Sequence, residues 1–205
     1  MPAPSWLNLP NRITLSRIVL GFALFALLSL EHEGVSLFAS RDIALWVAAA
    51  AFVVCVSTDW LDGWLARKRG EVTTFGRIAD PFADKLLVLG TLICMIPLTP
   101  ELVPPWFVVA LLAREFLVSG LRSFLESQGV PFGARWGGKI KMVLQSVFIP
   151  VALADAAIAA GGAPSEALRL LAHILFWGTL AATMVSMFDY LQVARGSVLE
   201  KERAG

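Results

Sequence analysis

Long apolar segments alternate with short polar breaks along this chain. Six apolar segments fall near residues 14–30, 42–65, 81–98, 104–125, 138–160 and 166–194. Each approaches the roughly 20 residues that a helix needs to cross a hydrocarbon layer about 30 Å thick. Polar residues at 31–40, four prolines within 97–105 and a Gly-Gly-Ala-Pro sequence at 161–164 separate the segments. The pattern predicts an all-α integral membrane fold with six transmembrane helices in one domain over residues 1–205.

Two shorter segments flank these helices. Trp6, Leu7 and Leu9 stand among prolines just before the first apolar segment. Aromatic and apolar residues in such a setting are typical of a short helix lying in the membrane interface. At the other end, residues 196–205 are rich in charge. We therefore expect an N-terminal interfacial helix and a polar C-terminal tail.

The composition agrees with a membrane protein. Of the 205 residues, 57% are hydrophobic and 16% are charged, whereas soluble domains have roughly 45–50% and about 25%. This excludes the soluble globular classes and gives no reason to expect a nucleic-acid partner. Membrane lipid is the expected surrounding.

The few cations are distributed unevenly along the chain. If the chain crosses six times, nearly every lysine and arginine falls on one side, and only Arg41 and Arg169 fall on the other. The positive-inside rule then places both termini in the cytoplasm. We expect an integral protein of the bacterial inner (cytoplasmic) membrane.

Four aspartates follow two helical spacings near the cytoplasmic boundary. Asp59 and Asp62 end the second apolar segment, and Asp80 and Asp84 begin the third. Residues three or four apart share a helix face, so each pair forms a stripe. The nearby Gly63 lacks bulk and leaves room for a ligand. Since carboxylates beside a bilayer must be neutralised, the group predicts a functional site.

The carboxylates predict a metal site that holds a diphosphate. An all-oxygen donor set suits magnesium, manganese or calcium rather than zinc. Two such ions can clamp a diphosphate and assist phosphoryl transfer. The alternative is that the aspartates merely pair with nearby bases such as Arg67, Arg77 and Lys85.

A second cluster of charge lies around the fourth and fifth apolar segments. Arg114 and Arg122 are about two helical turns apart and so share a face, and Lys139 and Lys141 follow two glycines. Together these cations are suited to the phosphate of a small acceptor. The alternative is that they extend to lipid headgroups. Arg114, placed well inside an apolar run beside Glu115, favours a functional or paired role.

The aspartate pattern resembles a family signature. Residues 59–84 match D-x2-D-G-x2-A-R-x8-G-x3-D-x3-D, which is similar to the signature of the CDP-alcohol phosphotransferases. The resemblance implies two divalent cations, magnesium first and manganese as the other candidate, held by Asp59, Asp62 and Asp80 with help from Asp84. It also implies that Asp84 is the general base, that Asp62, Gly63 and Arg67 contact the CDP portion, and that the protein is a homodimer.

The remaining motifs resemble the phosphatidylglycerophosphate synthase branch of that family. They are A-R-E at 113–115, a later L-R, G-K-x-K at 138–141, and P-N-x-x-T-x-x-R at 10–17. The resemblance implies transfer of the phosphatidyl group from CDP-diacylglycerol to sn-glycerol 3-phosphate, giving phosphatidylglycerophosphate and CMP. Asn11 and Thr14 would approach the nucleotide, and Arg114, Arg122, Lys139 and Lys141 the acceptor phosphate. Met142 departs from the threonine that is common there.

Three other functions are considered beside this one. A sibling transferase that uses inositol phosphate would keep the aspartates and differ in the acceptor pocket. A membrane prenyltransferase would carry two widely separated acidic motifs and more spans. A divalent-cation transporter, the nonenzymatic alternative, would place its acids near the middle of spans rather than at their ends.

Overall fold

The described regular structure is entirely helical, as the apolar pattern predicts. The computed structural model describes residues 9–35, 37–69, 74–129 and 136–204. Side chains at 9–10, 59–69, 74–75, 77–78 and 197–204 lie outside that description. The helices are α1 Leu9–His32, α2 Arg41–Arg69, α3 Thr74–Met95, α4 Pro105–Ser127, α5 Trp136–Ala160 and α6 Glu166–Ala204.

Four of these helices have the length and composition of membrane spans. Within the described ranges they are Asn11–His32, Arg41–Thr58, Trp136–Ala160 and Glu166–Gly196. The other two helices, α3 and α4, carry much of the charge that the sequence analysis singles out, such as Asp84 and Arg114. The all-α membrane character of the protein is therefore confirmed, while six crossings stay a prediction.

Two predicted boundaries need adjustment. Helix α3 begins at Thr74, so Pro81 lies inside the helix and not at its start. The apolar segment near 81–98 forms the later part of this helix, and Asp80 lies in the turn before it. The tail from residue 196 continues α6 as helix to Ala204. The predicted interfacial helix falls mostly at residues 1–8, which lie outside the described residues.

Local sequence explains several helix ends. Pro104 has extended backbone, with φ −68° and ψ 148°, and Pro105 follows as the first residue of α4. Proline suits this position because the first helical N–H has no partner within the helix. Gly34 after α1 and Gly162 after α5 have φ of 78° and 83°, which residues with a side chain rarely adopt. These residues end the helices where the polar breaks predict.

The core lies where α5 packs against α2 and α6, while α1 packs against α2 and α3. Phe107, Phe148 and Phe176 meet at its centre, with ring centroids 4.5 Å apart for Phe107 and Phe176 and 5.7 Å apart for Phe107 and Phe148. Large apolar side chains such as Phe116 and Trp177 are exposed on the outside. Since lipid is as apolar as these side chains, helix association depends on close packing.

Charged contacts distinguish the two ends of the bundle. At one end, Thr14 of α1 contacts Asp80 of α3, and we call this the aspartate end. At the opposite end, Arg169 forms ion pairs with Glu101 at 3.3 Å and with the buried Asp155 at 3.4 Å. The starts of α1, α3 and α5 therefore share the aspartate end with the finishes of α2, α4 and α6.

Gly90 of α3 leaves room for the Phe25 ring of α1, in the helix pair that also brings Thr14 to Asp80. A Cβ built on Gly90 would lie 2.3 Å from Cζ of Phe25. No side chain larger than hydrogen fits there unless the phenyl ring moves. The glycine therefore lets an aromatic side chain of α1 pack directly against the α3 backbone.

Replacing Gly90 with alanine should destabilise the protein by about 1 kcal/mol, because the Phe25 ring must turn aside and lose its packing on α3. Thermal unfolding of the purified protein in detergent measures the effect. Gly120→Ala is the matched control, because nothing lies within 4 Å of a Cβ built there, and its midpoint should stay or rise slightly. A Gly90→Ala midpoint equal to that of the wild type would contradict the packing account.

Candidate active site

Helices α1 and α3 form one edge of the site through two side-chain contacts. The Thr14 hydroxyl donates a hydrogen bond of 2.7 Å to Asp80 Oδ1. One turn further on, Arg17 Nη1 lies 3.2 Å from Asp84 Oδ1 in an ion pair. Thr14 and Arg17 are three residues apart and the aspartates four apart, so each pair shares a helix face. The two facing stripes meet in register.

The exposure of this edge differs between its members. The Arg17 side chain is 1% exposed, whereas that of Asp84 is 28% exposed. Asn11, one turn before Thr14, is also buried. The basic partner is thus enclosed by protein while the Asp84 carboxylate keeps an open side. Asp80 and Asp84 offer only carboxylate oxygens as metal ligands, which fits the hard divalent cations that the sequence predicts.

Helix α2 carries the other predicted residues of this region. Asp59, Asp62, Gly63 and Arg67 lie in its last three turns. Their side chains lie outside the described residues, and the description of α2 side chains ends at Thr58, whose hydroxyl donates to the Cys55 carbonyl at 2.8 Å. The convergence of all four carboxylates stays a prediction.

A cavity of about 250 Å³ opens beside Asp84 and is bounded by α3, α4, α5 and α6. We call it the cationic cavity because five basic side chains line it. All four residues predicted to bind the acceptor phosphate are among them, and so is a fifth cation that the sequence analysis did not assign to the acceptor. These residues are Lys85, Arg114, Arg122, Lys139 and Lys141. The prediction that Arg114 and Arg122 share a face is confirmed.

Glu115 joins two of these cations. Its Oε1 accepts a hydrogen bond of 2.8 Å from Arg114 Nη1 and also contacts Lys141 Nζ. Arg114 further donates to the Ser186 hydroxyl at 2.6 Å, and its guanidinium lies over the Tyr190 ring, 5.5 Å from the centroid. Arg114 is 5% exposed and Lys141 is 4% exposed. Since one carboxylate serves two buried cations, this group keeps a positive charge.

The other cations are held more loosely. Arg122 has a buried Nε without a hydrogen-bond partner among the described residues. The Lys139 ammonium lies over the Trp136 ring, 5.0 Å from its centroid, and Lys85 donates to the Ser119 hydroxyl. Against five cations, the lining contains two carboxylates, Asp84 and Glu115. The excess of positive charge in an apolar surrounding favours a small anion such as a phosphate ester.

Several residues of this site are not predicted from the sequence. Arg17 was noted within a motif but given no role, although it is the ion-pair partner of Asp84. Its spacing of three from Thr14 is the signal that could have placed it. Ser186 and Tyr190 are four apart on α6, Ser186 in an apolar run and Tyr190 beside Asp189, and neither side chain carries a charge of its own. Their part in the site follows only from the packing of α6 against α4.

Comparison with known proteins agrees with this geometry. The sequence model of the CDP-alcohol phosphatidyltransferase family matches residues 7–185. A Bacillus subtilis (strain 168) protein is 36% identical over 188 residues, covering 89% of this chain and 93% of the relative. Relatives from Rickettsia felis and Salmonella choleraesuis are 32% and 30% identical, with 92% and 95% of this chain covered and 96% and 98% of the relatives.

All three relatives have one name, CDP-diacylglycerol–glycerol-3-phosphate 3-phosphatidyltransferase. The family match spans the aspartate signature, the Asn11 to Arg17 motif and the cationic cavity as far as residue 185. The relatives share nearly their whole length with this chain. The chain therefore belongs to the CDP-alcohol phosphatidyltransferase family.

Proposed function

We propose that this protein transfers the phosphatidyl group from CDP-diacylglycerol to sn-glycerol 3-phosphate, giving phosphatidylglycerophosphate and CMP. The observation that carries the proposal is the cationic cavity, whose lining contains both Asp84 of the signature and the four cations predicted to bind the acceptor phosphate. The family match supports the donor, and the name of the relatives supports the acceptor.

The donor would occupy the aspartate end. Asp59, Asp62, Asp80 and Asp84 would hold two divalent cations, magnesium or manganese, which neutralise the diphosphate and polarise its phosphorus when bound. Asn11, Thr14, Asp62, Gly63 and Arg67 would contact the CDP portion. The bond from Thr14 to Asp80 Oδ1 fixes the direction of that carboxylate.

The acceptor would enter the cationic cavity with its phosphate first. Arg114, Arg122, Lys139 and Lys141 would bind the phosphate oxygens, the arginines through two parallel N–H groups and the lysines as point charges. Glu115 holds Arg114 and Lys141 in position before the substrate arrives. Such preorganisation lowers the entropic cost of binding, because the side chains are already ordered.

Asp84 would act at the opposite wall of the cavity. It would accept the proton of the primary hydroxyl while that oxygen forms a bond to the lipid-side phosphorus. The bond between this phosphorus and the oxygen of CMP breaks, and CMP leaves. Arg17 orients the Asp84 carboxylate through the 3.2 Å contact to Oδ1. Proton transfer and attack are thus directed from one helix face.

The membrane arrangement follows the same reasoning. Helices α3 and α4 have 22 and 23 residues, which at about 1.5 Å per residue is long enough for a hydrocarbon layer about 30 Å thick. Six crossings would place both termini and the aspartate end on the cytoplasmic side of a bacterial inner membrane, within one domain. The family also favours a homodimer and metal dependence.

A sibling transferase for inositol phosphate remains the nearest alternative, because the same cavity chemistry binds its phosphate. Purified protein should transfer the phosphatidyl group to labelled glycerol 3-phosphate and release CMP when the four acceptors glycerol 3-phosphate, inositol 1-phosphate, inositol and serine are offered in parallel. Preference for any other acceptor contradicts the proposed acceptor. A lack of CMP release with all four contradicts the transferase itself.

Asp84→Asn should keep nucleotide binding and lose turnover by about a hundredfold or more, because the amide cannot accept the proton. Calorimetric titration with CMP and the rate of CMP release measure the two properties. Glu126→Gln is the control, since Glu126 is an exposed acid near the same end. Near-normal turnover of Asp84→Asn would remove Asp84 from the role of base.

Arg122→Gln should raise the KM for glycerol 3-phosphate about tenfold to a hundredfold, because a lost hydrogen bond to a charged group costs about 1.5–3 kcal/mol. The KM for CDP-diacylglycerol should change little. Arg195→Gln provides the control, as Arg195 is an exposed cation of α6 outside the cavity. Equal changes in both KM values would place Arg122 outside the acceptor site.

A further inference from the structure

Gln145 is a buried polar side chain of the cationic cavity that the reaction described above does not use. It lines the cavity and is 3% exposed. Its side-chain nitrogen Nε2 is buried and has no hydrogen-bond partner among the described residues. A buried amide without a partner is unfavourable, so such a group in a cavity calls for a ligand that accepts its hydrogen bond.

The position of Gln145 indicates which part of a ligand it would meet. Gln145 follows Lys141 by four residues on α5 and so lies on the same face, one turn further from the aspartate end. The lining of the cavity also includes apolar side chains, among them Val88, Leu89 and Met142. A neutral amide beside apolar groups suits an uncharged hydroxyl better than a phosphate, which needs charged partners.

The chemistry of glycerol 3-phosphate leaves one group for this amide. In the function proposed above, the phosphate binds the cations and the primary hydroxyl faces Asp84. The secondary hydroxyl is the polar group that remains. Resting on that function, we propose that Gln145 Nε2 donates a hydrogen bond to the secondary hydroxyl of the acceptor and thereby makes Gln145 a specificity-determining residue.

The proposal gives the cavity two criteria for an acceptor. The cations select a phosphate ester of any small alcohol. Gln145 selects those esters that carry a second hydroxyl on the carbon next to the one with the reacting hydroxyl. An acceptor without this hydroxyl would leave the amide buried and unpaired in the complex. Sites that bind a hydroxyl through a hydrogen bond discriminate strongly against analogues that lack it.

The test compares two acceptors with two forms of the enzyme. The acceptors are glycerol 3-phosphate and 3-hydroxypropyl phosphate, which lacks only the secondary hydroxyl. Wild type should prefer glycerol 3-phosphate by about tenfold or more in kcat/KM. Methionine has a volume similar to that of glutamine and no hydrogen-bond donor. In Gln145→Met, kcat/KM for glycerol 3-phosphate should fall to the level of the analogue, while kcat/KM for the analogue should equal that of the wild type.

Control variants separate this effect from a general loss of structure. Gln192→Met makes the same change at an exposed glutamine of α6 outside the cavity. It should change kcat/KM for neither acceptor. Gln145→Leu repeats the test with another shape. Because Nε2 has no hydrogen-bond partner among the described residues, the thermal midpoint of Gln145→Met should equal or exceed that of the wild type.

Two outcomes overturn the inference. An equal fall in kcat/KM with both acceptors would mean that Gln145 supports the phosphate or the fold, and a large drop in the thermal midpoint would mean that its amide has a partner within the protein. Failure of the proposed function is a separate result, because wild type would then fail to release CMP with glycerol 3-phosphate before any variant is compared.

Discussion

The site depends on Glu115, the single carboxylate that holds two buried cations. Arg114 and Lys141 come from different helices, α4 and α5, and both contact Oε1 of Glu115. Two unpaired cations in this apolar surrounding would repel each other and resist burial. One acid is enough to fix their positions but not to cancel their charge. The same contact therefore stabilises the bundle and leaves the cationic cavity with a positive charge that attracts an anion.

An ion pair also directs a carboxylate on the other side of the cavity. Arg17 is enclosed by protein and directs Asp84, whose carboxylate stays partly exposed. Thr14 directs Asp80 from the same face of α1. The register of α1 against α3 therefore sets both carboxylates at once, and further along the same pair of helices the Phe25 ring packs against Gly90. The packing of these two helices thus fixes the directions of Asp80 and Asp84.

The sequence predicts those features of the fold and site that charge and hydropathy mark clearly. Asp84, Arg114 and Lys141 stand out because charge is rare in apolar segments, and helical spacing places Asp84 on a face with Asp80 and Arg114 on a face with Arg122. Partners such as Ser186 carry no such mark, since a serine in an apolar run is ordinary. Arg114 and Ser186 are 72 positions apart, and only the tertiary packing brings them together. The start of α3 is a related case, because its first turns are more polar than the apolar segment that follows them.

The length of α6 has a consequence for where substrates meet. From Glu166 to Ser186 the helix rises about 30 Å, close to the thickness of the hydrocarbon layer. If Glu166 lies at one polar boundary, Ser186 and Tyr190 lie at the other, and the turns up to Ala204 extend beyond it. A water-soluble acceptor can then reach the cationic cavity from the aqueous phase, while the acyl chains of the donor remain among lipid tails. The height of one helix lets two substrates of opposite solubility react without either leaving its own phase.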